Sequence, residues 1–332
     1  MKYRVFIIFL FFPVFFIHGE GQYPNYAKGP LSSLNLYPLY TPFINLSPES
    51  AKNLGIGNYS ISIVTAYANN FIRDHGVSVD NFYFDLDMGN YLFTISSNFG
   101  ISKRLDLGFD FSFTIQYGGI FDGLIQGFHN AFNFPNGDRE REAKYRCRFR
   151  VVNGNGSWID SSEPCGGPVN LTLKAKILIL DYPYIGFYLG LQPALKIPLN
   201  NNSSLLSSGK ADVALNLLFE KAFRFFELYL NLGWAYLGRP DNLSIFDFNG
   251  NILNYMFGVE WILNRSWSLY FQVDGNTSPY RSGHYRIDRH SSTVNLGFKV
   301  KIFREGLLEV FFTEEFCTFA AADIGLTAAF SF

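Results

Sequence analysis

Large apolar residues alternate with small or polar residues along most of the chain after residue 57. The clearest stretch is Leu105 to Tyr117, with Leu, Phe, Ile and Tyr at the odd positions and Asp, Gly, Ser, Thr and Gln at the even ones. Because strand side chains alternate between two faces, this pattern predicts a strand with one oily and one aqueous face. Strands of soluble domains average about 5–6 residues, whereas a tilted membrane-spanning strand needs roughly 9–11. The sequence therefore predicts an all-β fold, a transmembrane antiparallel β-barrel.

The same period of two recurs in further segments along the chain. The predicted strands are 58–69, 79–88, 91–102, 105–117, 143–152, 169–180, 185–199, 210–220, 225–237, 251–263, 267–276, 289–303, 307–316 and 322–332. Short and long connections alternate between them, as in outer-membrane barrels, and an even strand count places both termini on one side. We expect 12 to 14 strands and prefer 14. The count falls to 12 if residues 143–152 form a hairpin within a loop.

The N-terminal residues have the pattern of a signal for export of the protein. Lys2 and Arg4 precede an apolar run over residues 5–17, which is shorter than the roughly 20 residues that cross a bilayer as a helix. This order is typical of a cleavable signal peptide, here residues 1–21. Together with the predicted barrel, it indicates the bacterial outer membrane as the location.

Residues 22–56 are rich in proline, which excludes an ordinary central strand. We expect this segment either to lie in the periplasm or to fold into the lumen as a plug. Within it, Ser47-Pro48-Glu49 predicts the start of a short helix that Gly55 can end. The barrel is predicted over residues 57–332, with a helix and loop insertion at 118–142.

Composition agrees with a barrel. Aromatic residues make up 18% of the chain, charged residues 17%, and the mean hydropathy is +0.06, as expected when half of the wall faces lipid and half faces water. The net charge of −1 gives no reason to expect a nucleic-acid partner. The expected partners are outer-membrane lipids, lipopolysaccharide, the barrel assembly machinery and an unknown small solute. No phosphate loop or metal-ligand motif indicates a cofactor.

The last strand ends on an aromatic residue. Phe332 shares one face with Phe330, Ala328, Leu326 and Ile324. This resembles the C-terminal signal that bacterial outer-membrane barrels present to their assembly machinery, so we assign that role to Phe332.

Four stretches together resemble a family of Gram-negative outer-membrane proteins, domain of unknown function 3187. The first is Gly29-Pro30-Leu31 with Asn35, Pro38-Leu39 and Leu46-Ser47-Pro48-Glu49-Ser50-Ala51, and the second is Gly118-Gly119-Ile120-Phe121-Asp122-Gly123-Leu124-Ile125 with Phe128-His129. The third is Leu195-Lys196-Ile197-Pro198 with Ser208-Gly209 and Asp212, and the fourth is Phe312-Thr313-Glu314-Glu315 with Asp323. The resemblance implies an outer-membrane barrel and supplies no ligand or activity.

If the polar faces point inward, charges of opposite sign collect on neighbouring strands. The candidate lumen charges are Asp85, Asp87, Asp106, Asp110, Arg146, Arg148, Lys174, Lys176 and Lys196. Adjacent acidic and basic arcs are typical of selective pores, which favours a passive channel for small or hydrophobic solutes. Mutual salt bridges that close the lumen are the alternative.

Residues 118–134 break the strand pattern, because apolar residues recur there every four positions and predict an amphipathic helix. The candidate gate or plug residues in this segment are Ile120, Asp122, Leu124, Phe128 and His129. The helix could fold into the barrel or lie as a cap at the membrane surface.

Cys147 and Cys165 flank a stretch rich in Gly, Asn and Ser that predicts an exposed loop. In an oxidising compartment these two residues are the candidate disulfide, with three unpaired thiols as the alternative.

Two other functions remain open. A membrane-embedded lipid-modifying enzyme would need a nucleophile and a base, for which His75, His129, His284 and His290 are available, although no nucleophile-elbow motif is present. A surface adhesin or receptor would act through the long loops, where Tyr280, Arg281, His284, Tyr285, Arg286 and Arg289 suit an anionic sugar or phosphate.

Overall fold

The structure is a computed structural model that describes residues 26–73, 83–132, 139–152, 158–200, 205–244, 246–303, 306–316 and 320–332. The strands are β1 (Tyr59–Arg73), β2 (Tyr83–Ser102), β3 (Leu105–Tyr117), β4 (Arg148–Val152), β5 (Trp158–Ser161), β6 (Cys165–Tyr182), β7 (Phe187–Pro198), β8 (Asp212–Ala222), β9 (Phe226–Tyr236), β10 (Asp247–Phe248), β11 (Asn251–Ile262), β12 (Trp267–Asn276), β13 (Tyr280–Arg281), β14 (Ser291–Ile302), β15 (Gly306–Glu315) and β16 (Ile324–Ser331). The α-helices are α1 (Asp122–Phe132) and α2 (Tyr285–Asp288), with short 3-10 turns at Arg139–Arg141 and Asp241–Leu243. Within the described residues, no helix has the length and apolarity needed to cross a bilayer.

Twelve antiparallel strands form a closed barrel, in the order β1, β2, β3, β6, β7, β8, β9, β11, β12, β14, β15 and β16. The barrel closes between the first and last strands, where β1 pairs with β16 over Ser62↔Ser331 to Asn69↔Ile324. Closure leaves the wall without an unpaired edge, as lipid requires. The prediction of an antiparallel barrel is confirmed.

The preferred count of 14 strands is wrong, and the lower limit of 12 is correct. The two strands expected at 79–88 and 91–102 are one strand over the described residues 83–102, because pairing to β1 continues through Gly89 and Asn90 without a turn. Residues 148–152 form β4, which pairs with β5 and with the first five residues of β2, outside the closed ring.

The outer face of the wall is apolar. Each of the twelve wall strands carries at least one large apolar side chain on this face that is more than a third exposed. One such residue from each strand, in chain order, is Ile63, Phe99, Phe109, Leu173, Leu195, Leu215, Leu232, Phe257, Leu269, Leu296, Phe312 and Leu326. A continuous exposed apolar band of this kind is the lipid-facing surface of a membrane barrel.

The two ends of the barrel differ. Five connections of two to four residues lie at one end, together with the start of β1 and the end of β16, and we call this the short-turn end. Six connections of eight residues or more lie at the other, the long-loop end, which also carries α1, α2 and the paired strands β10 and β13. Phe332 extends the last strand at the short-turn end, where its N–H donates to the Ile61 carbonyl at 3.0 Å.

Residues 26–58 form a hairpin inside the barrel, which we call the lumenal hairpin. Its first limb starts at the short-turn end, where Arg265 of the β11–β12 turn lies over the Tyr26 ring. The tip reaches the long-loop end, where Tyr280 Oη donates to the Leu39 carbonyl at 2.8 Å. The second limb returns to the short-turn end and leads into β1.

A close backbone contact ends the second limb. Gly57 N donates to the Gly100 carbonyl at 2.9 Å, and a Cβ atom on Gly100 would lie 1.8 Å from the Gly55 carbonyl oxygen. Gly55 has a φ of 85° and Gly57 a φ of 76°. These glycines allow the chain to leave the lumen and enter β1 within a few residues.

The short helix expected at Ser47-Pro48-Glu49 is absent, and these residues have no regular secondary structure. Their backbone donors bind the wall instead. Glu49 N donates to Asn231 Oδ1 at 2.9 Å, and Ala51 N donates to Glu220 Oε2 at 3.0 Å. Hydrogen bonds to the barrel thus replace those that a helix would supply.

Candidate functional site

The first limb of the lumenal hairpin binds the inward face of β11, β12 and β15 through its backbone. Lys28 N donates to both carboxylate oxygens of Glu260 at 3.0 Å, and Leu31 N donates to Gln272 Oε1 at 2.9 Å. Ser32 N donates to Glu309 Oε1 at 2.6 Å. Side chains of the wall therefore accept the backbone hydrogen bonds of a limb that has no regular secondary structure of its own.

The tip of the hairpin closes the long-loop end with apolar contacts. Tyr37, Leu39, Tyr40, Phe43 and Ile44 are buried in one cluster with strand and loop residues. Their partners in this cluster include Phe84, Leu86, Met88, Phe149, Leu237, Leu243, Phe246, Ile252, Tyr280 and Ile287. Burial of so many large side chains excludes water from this end of the lumen.

The second limb is held by charged groups of the wall. Glu49 is paired with two lysines of β6: its Oε1 lies 2.6 Å from Lys174 Nζ and its Oε2 lies 3.5 Å from Lys176 Nζ. Lys52 Nζ lies 2.5 Å from carboxylate oxygens of both Glu220 and Glu227. These charges are mutually compensated. Removal of Lys52 would leave two buried carboxylates without a cation, whereas Lys174 and Lys176 each have a second carboxylate partner on β3.

The ion pair between Lys196 and Asp212 fastens the turn between tip and second limb. Lys196 Nζ lies 2.8 Å from Asp212 Oδ2, and both side chains are fully buried. Lys196 also donates to the Pro42 carbonyl, and Asp212 accepts from Ile44 N, each at 2.8 Å. One pair of charges thus binds the hairpin at two points.

Five of the nine candidate lumen charges face the lumen. Lys174 lies 2.9 Å from Asp110, and Lys176 lies 3.6 Å from Asp106. With Lys196, these residues contact one another, the hairpin, or both. Both expected arrangements are thus present in part: the charges line the lumen, and they are salt-bridged around a segment that fills it.

The other four candidates do not face the lumen. Phe84 and Leu86 point inward into the apolar cluster, so Asp85 and Asp87, which alternate with them, lie on the opposite face of β2. Asp85 Oδ2 lies 3.2 Å from Arg148 Nη1 on the neighbouring β4. Arg146 pairs with Glu142 of the loop.

Several charged residues of the lumen were missed in the sequence. They are Lys28, Glu49 and Lys52 of the hairpin and Asp212, Glu220, Glu227, Glu260, Asp274, Lys299 and Glu309 of the wall. Strand alternation alone could have placed the wall residues on the inward face. Their partners in the hairpin lie about 170 to 280 positions away along the chain, and no local pattern indicates them.

The insertion with α1 lies against the outside of the wall, so the expectation of a gate in the lumen is not met by the described part of this segment. Phe121 packs edge-on against Tyr67, an outward residue of β1, with ring centroids 4.8 Å apart. Asp122 Oδ1 accepts from Asn69 Nδ2 at 3.1 Å, also on that face. A Cβ atom on Gly89 would lie 2.8 Å from the Gly119 Cα atom, so a side chain there would displace the insertion.

Arg139 joins the insertion to the seam between β1 and β16. Its Nη2 lies 2.6 Å from Asp323 Oδ2, its Nη1 lies 3.7 Å from Asp122 Oδ1, and it donates to Asn69 Oδ1. The guanidinium group also lies over the Phe71 ring, 4.5 Å from its centroid. The predicted helix is present, Asp122 is buried, and Ile120 is exposed. The side chains of Leu124, Phe128 and His129 lie outside the described part of the structure.

Cys147 and Cys165 are both free and half-buried, so the predicted bridge is not formed in the structure. Cys165 Sγ lies 3.5 Å from Gln116 Oε1, to which it donates. Burial raises the pKa of Cys147 to about 11, and the neighbouring Cys165 and Asp87 act in the same direction. The Cys147 thiol is therefore protonated near neutral pH, and thiolate is the form that reacts.

Two of the loop residues suggested for surface binding are buried. Tyr280 packs against Phe246 with ring centroids 5.1 Å apart, as part of the apolar cluster. His284 is the N-cap of α2, where its Nδ1 accepts from Arg286 N at 3.3 Å. Neither arrangement presents a nucleophile and base pair or a free binding surface at these two positions.

A chamber of about 90 Å³ lies between the hairpin and the inward face of β8, β9, β11, β12 and β14. Its polar lining includes Asn35, Asn216, Asn254, Asp274 and Thr293, and its apolar lining includes Phe43, Ile44, Leu46, Ile252 and Met256. Among the described residues, no group of three or more His, Cys, Asp and Glu side chains is placed to hold a metal ion. The chamber is therefore suited to a solute with both polar and apolar parts.

A closed antiparallel barrel with an apolar outer band and a filled lumen defines this protein as an outer-membrane-type β-barrel. The chain belongs to the family described as protein of unknown function (DUF3187), whose sequence model matches residues 14–332. The predicted family membership is confirmed.

One solved structure supports the fold, and two others match less well. The COG4313 outer membrane channel from Pseudomonas putida F1 is similar over 86% of this chain and 98% of its own length, with a TM-score of 0.54 and 14% identity. The P. putida toluene transporter TodX matches with a TM-score of 0.39 and 9% identity, over 83% of this chain and 89% of its own. Outer membrane phospholipase A from Escherichia coli matches with a TM-score of 0.39 and 10% identity, over 84% and 91%. No curated protein sequence matches the chain.

Proposed function

We propose that this protein is a channel of the bacterial outer membrane that passes small solutes and is held closed at rest by the lumenal hairpin. Residues 1–21 act as the signal peptide for export, and the short-turn end faces the periplasm. The apolar outer band supports placement in a lipid bilayer, because such a surface is stable only when lipid covers it. The similar fold of a protein described as an outer membrane channel supports the transport role.

The observation that carries this proposal is the way in which the hairpin is bound. The first limb is held mainly by hydrogen bonds and the second by exchangeable ion pairs, and neither limb is built into the sheet. A segment held in this way can leave the lumen while the wall stays paired. Conduction then requires displacement of the hairpin, and the transported solute passes along the polar inward faces of the strands.

Conductance in planar bilayers tests the proposal. We expect the wild-type barrel to be closed for most of the recording, and a variant that lacks residues 26–56 to be open for most of it. Retention of the compact, heat-sensitive mobility on gels shows that the deleted protein is still folded. A folded deletion variant that conducts no current would refute the channel.

The non-enzymatic role is also part of the proposal. A lipid-modifying enzyme would release free fatty acid from phospholipid in a detergent assay at a rate above the background. We expect no release from the wild type, and release that disappears in a His129→Ala variant would replace the channel hypothesis.

A further inference from the structure

Among the lumenal acids described above, only Asp274 and Glu260 form no ion pair with a lysine or arginine side chain that the structure describes. Glu260 binds the backbone N–H of Lys28 with both of its oxygens and does not line the chamber. Asp106, Asp110, Asp212, Glu220, Glu227 and Glu309 each lie within 4 Å of a lysine ammonium group. Within the described residues, Asp274 forms no salt bridge, and its hydrogen-bond donors are all neutral: the hydroxyl of Ser33 and the amides of Gln272 and Asn295. Gln272 Nε2 lies 3.1 Å from its Oδ1, and Asn295 Nδ2 donates to its Oδ2.

Asp274 also lines the chamber. A carboxylate that is removed from bulk water and receives only neutral hydrogen bonds is costly unless a counter-charge reaches it. Each of the paired acids already has such a counter-charge. The chamber beside Asp274 leaves room for one.

The neighbouring positions are set by the strand register. Asp274 pairs with Met256 of β11 on one side and with Thr293 of β14 on the other, and Asn254 is one inward position further along β11. Directly opposed and diagonal neighbours in a sheet lie within reach of the same small ligand. A ligand on Asp274 therefore meets a hydroxyl, an amide and a thioether.

The remaining lining is partly aliphatic. Ile252 and Met256 are buried on the wall side, and Ile44 and Leu46 contribute from the hairpin. Asn216 adds a buried amide oxygen that has no hydrogen-bond partner in the structure. That oxygen lies 2.0 Å from where a Cβ atom on Gly233 would stand, and both residues line the chamber.

We propose that the chamber binds a small aliphatic ammonium ion, with its charged group on the Asp274 carboxylate and its alkyl carbons against Met256 and Ile44. A hard metal cation fits less well, because Ca²⁺ takes 6–8 oxygen ligands and much of this lining is apolar. An anion is repelled by Asp274. The ammonium ion combines the positive charge that Asp274 lacks with an apolar part for the rest of the chamber.

Binding is measured by isothermal titration of the full-length protein in detergent micelles with n-butylammonium chloride. The uncharged n-butanol serves as the matched ligand of similar size. We expect saturable binding of the ammonium ion and binding of the alcohol that is at least tenfold weaker. Equal binding of both ligands, or no binding of the ammonium ion, would overturn the proposal.

Variants locate the site. We expect Asp274→Asn to weaken butylammonium binding at least tenfold, and Thr293→Val to weaken it by a smaller factor while Asp274 keeps its charge. Asp181→Asn is the matched control, since Asp181 is exposed near the short-turn end and its substitution removes the same charge. Unchanged butylammonium binding in a folded Asp274→Asn variant would show that Asp274 does not bind the ammonium group. Because the assay needs no transport, its result is independent of whether the barrel conducts.

Discussion

The Nζ atom of Lys174 lies 2.6 Å from Oε1 of Glu49, and this contact joins the wall of the barrel to the segment that fills it. Lys174 also lies 2.9 Å from Asp110, so one ammonium group serves a wall carboxylate and a hairpin carboxylate together. The hairpin is thus tied into an ionic network that would exist in part without it. Loss of the hairpin charge leaves Lys174 with a partner, which favours opening of the lumen over unfolding of the barrel.

Substitution Glu49→Gln should raise the open probability of the channel. The change removes both ion pairs to Lys174 and Lys176, and a loss of about 1.4 kcal/mol or more corresponds to at least about a tenfold change in the equilibrium. Single-channel recording measures the effect. Asp181→Asn, which removes an exposed charge, is expected to behave as the wild type. An open probability that is unchanged in Glu49→Gln would show that these pairs do not hold the hairpin.

Substitution Arg139→Ala should release the α1 insertion from the outer face. It removes the group that lies between Asp122 and Asp323, and loss of one partner of a buried ion pair costs about 3–5 kcal/mol. Brief proteinase K treatment of intact cells should then cleave the insertion much faster. Arg141→Ala is the matched control, because Arg141 belongs to the same 3-10 turn and is exposed. Equal cleavage of both variants would argue against the role of Arg139.

The Cys147 thiol should react slowly at neutral pH. Its pKa of about 11 means that the thiolate fraction, and so the alkylation rate, rises about tenfold for each pH unit between 7.5 and 9.5. Timed labelling with iodoacetamide in a Cys165→Ser, Cys317→Ser background measures this rate. Mass spectrometry of the Cys317→Ser protein after mild oxidation tests the predicted Cys147–Cys165 bridge. A rate that does not depend on pH would contradict the burial seen in the structure.

Substitution Phe332→Ser should lower the amount of barrel in the outer membrane several-fold without changing folding of the purified protein in detergent. The reason is that we expect the assembly machinery to recognise the Phe332 ring, while the backbone pairing of Phe332 to Ile61 needs no aromatic ring. Membrane fractionation and gel mobility measure the two effects. Phe303→Ser, in the exposed β14–β15 turn, is the control. If both variants lowered the amount of barrel in the outer membrane equally, the ring of Phe332 would have no special role in assembly.

The wall was predictable from sequence because lipid enforces alternation over many residues. The segment from Leu105 to Tyr117 forms β3 with the predicted bounds, and Asp106 and Asp110 face inward as the alternation requires. The prediction fails at Asp85 and Asp87 for a physical reason. The tip of the hairpin makes the lumen apolar at the long-loop end. Phe84 and Leu86 therefore face inward there, and Asp85 and Asp87 face outward.

The candidate site was predictable only in part. Lys174, Lys176 and Lys196 follow from strand alternation, but Glu49 and Lys52 belong to a segment with no regular secondary structure. Their partners are far away in the sequence and are brought close only by closure of the barrel. The position of α1 outside the wall could not be predicted either, because it depends on Arg139 reaching Asp323, which precedes β16, as well as Asn69 of β1.

The lumenal hairpin begins and ends at the short-turn rim of the barrel, and its tip lies at the long-loop end. The hairpin is therefore not threaded through the ring of strands, and it can slide out tip-last without any wall strand separating. Tension on the chain upstream of Tyr26 would peel the first limb from Glu260, Gln272 and Glu309 in sequence, one contact at a time. A force applied from the short-turn end would therefore remove the hairpin stepwise, and the barrel would stay paired around the open lumen.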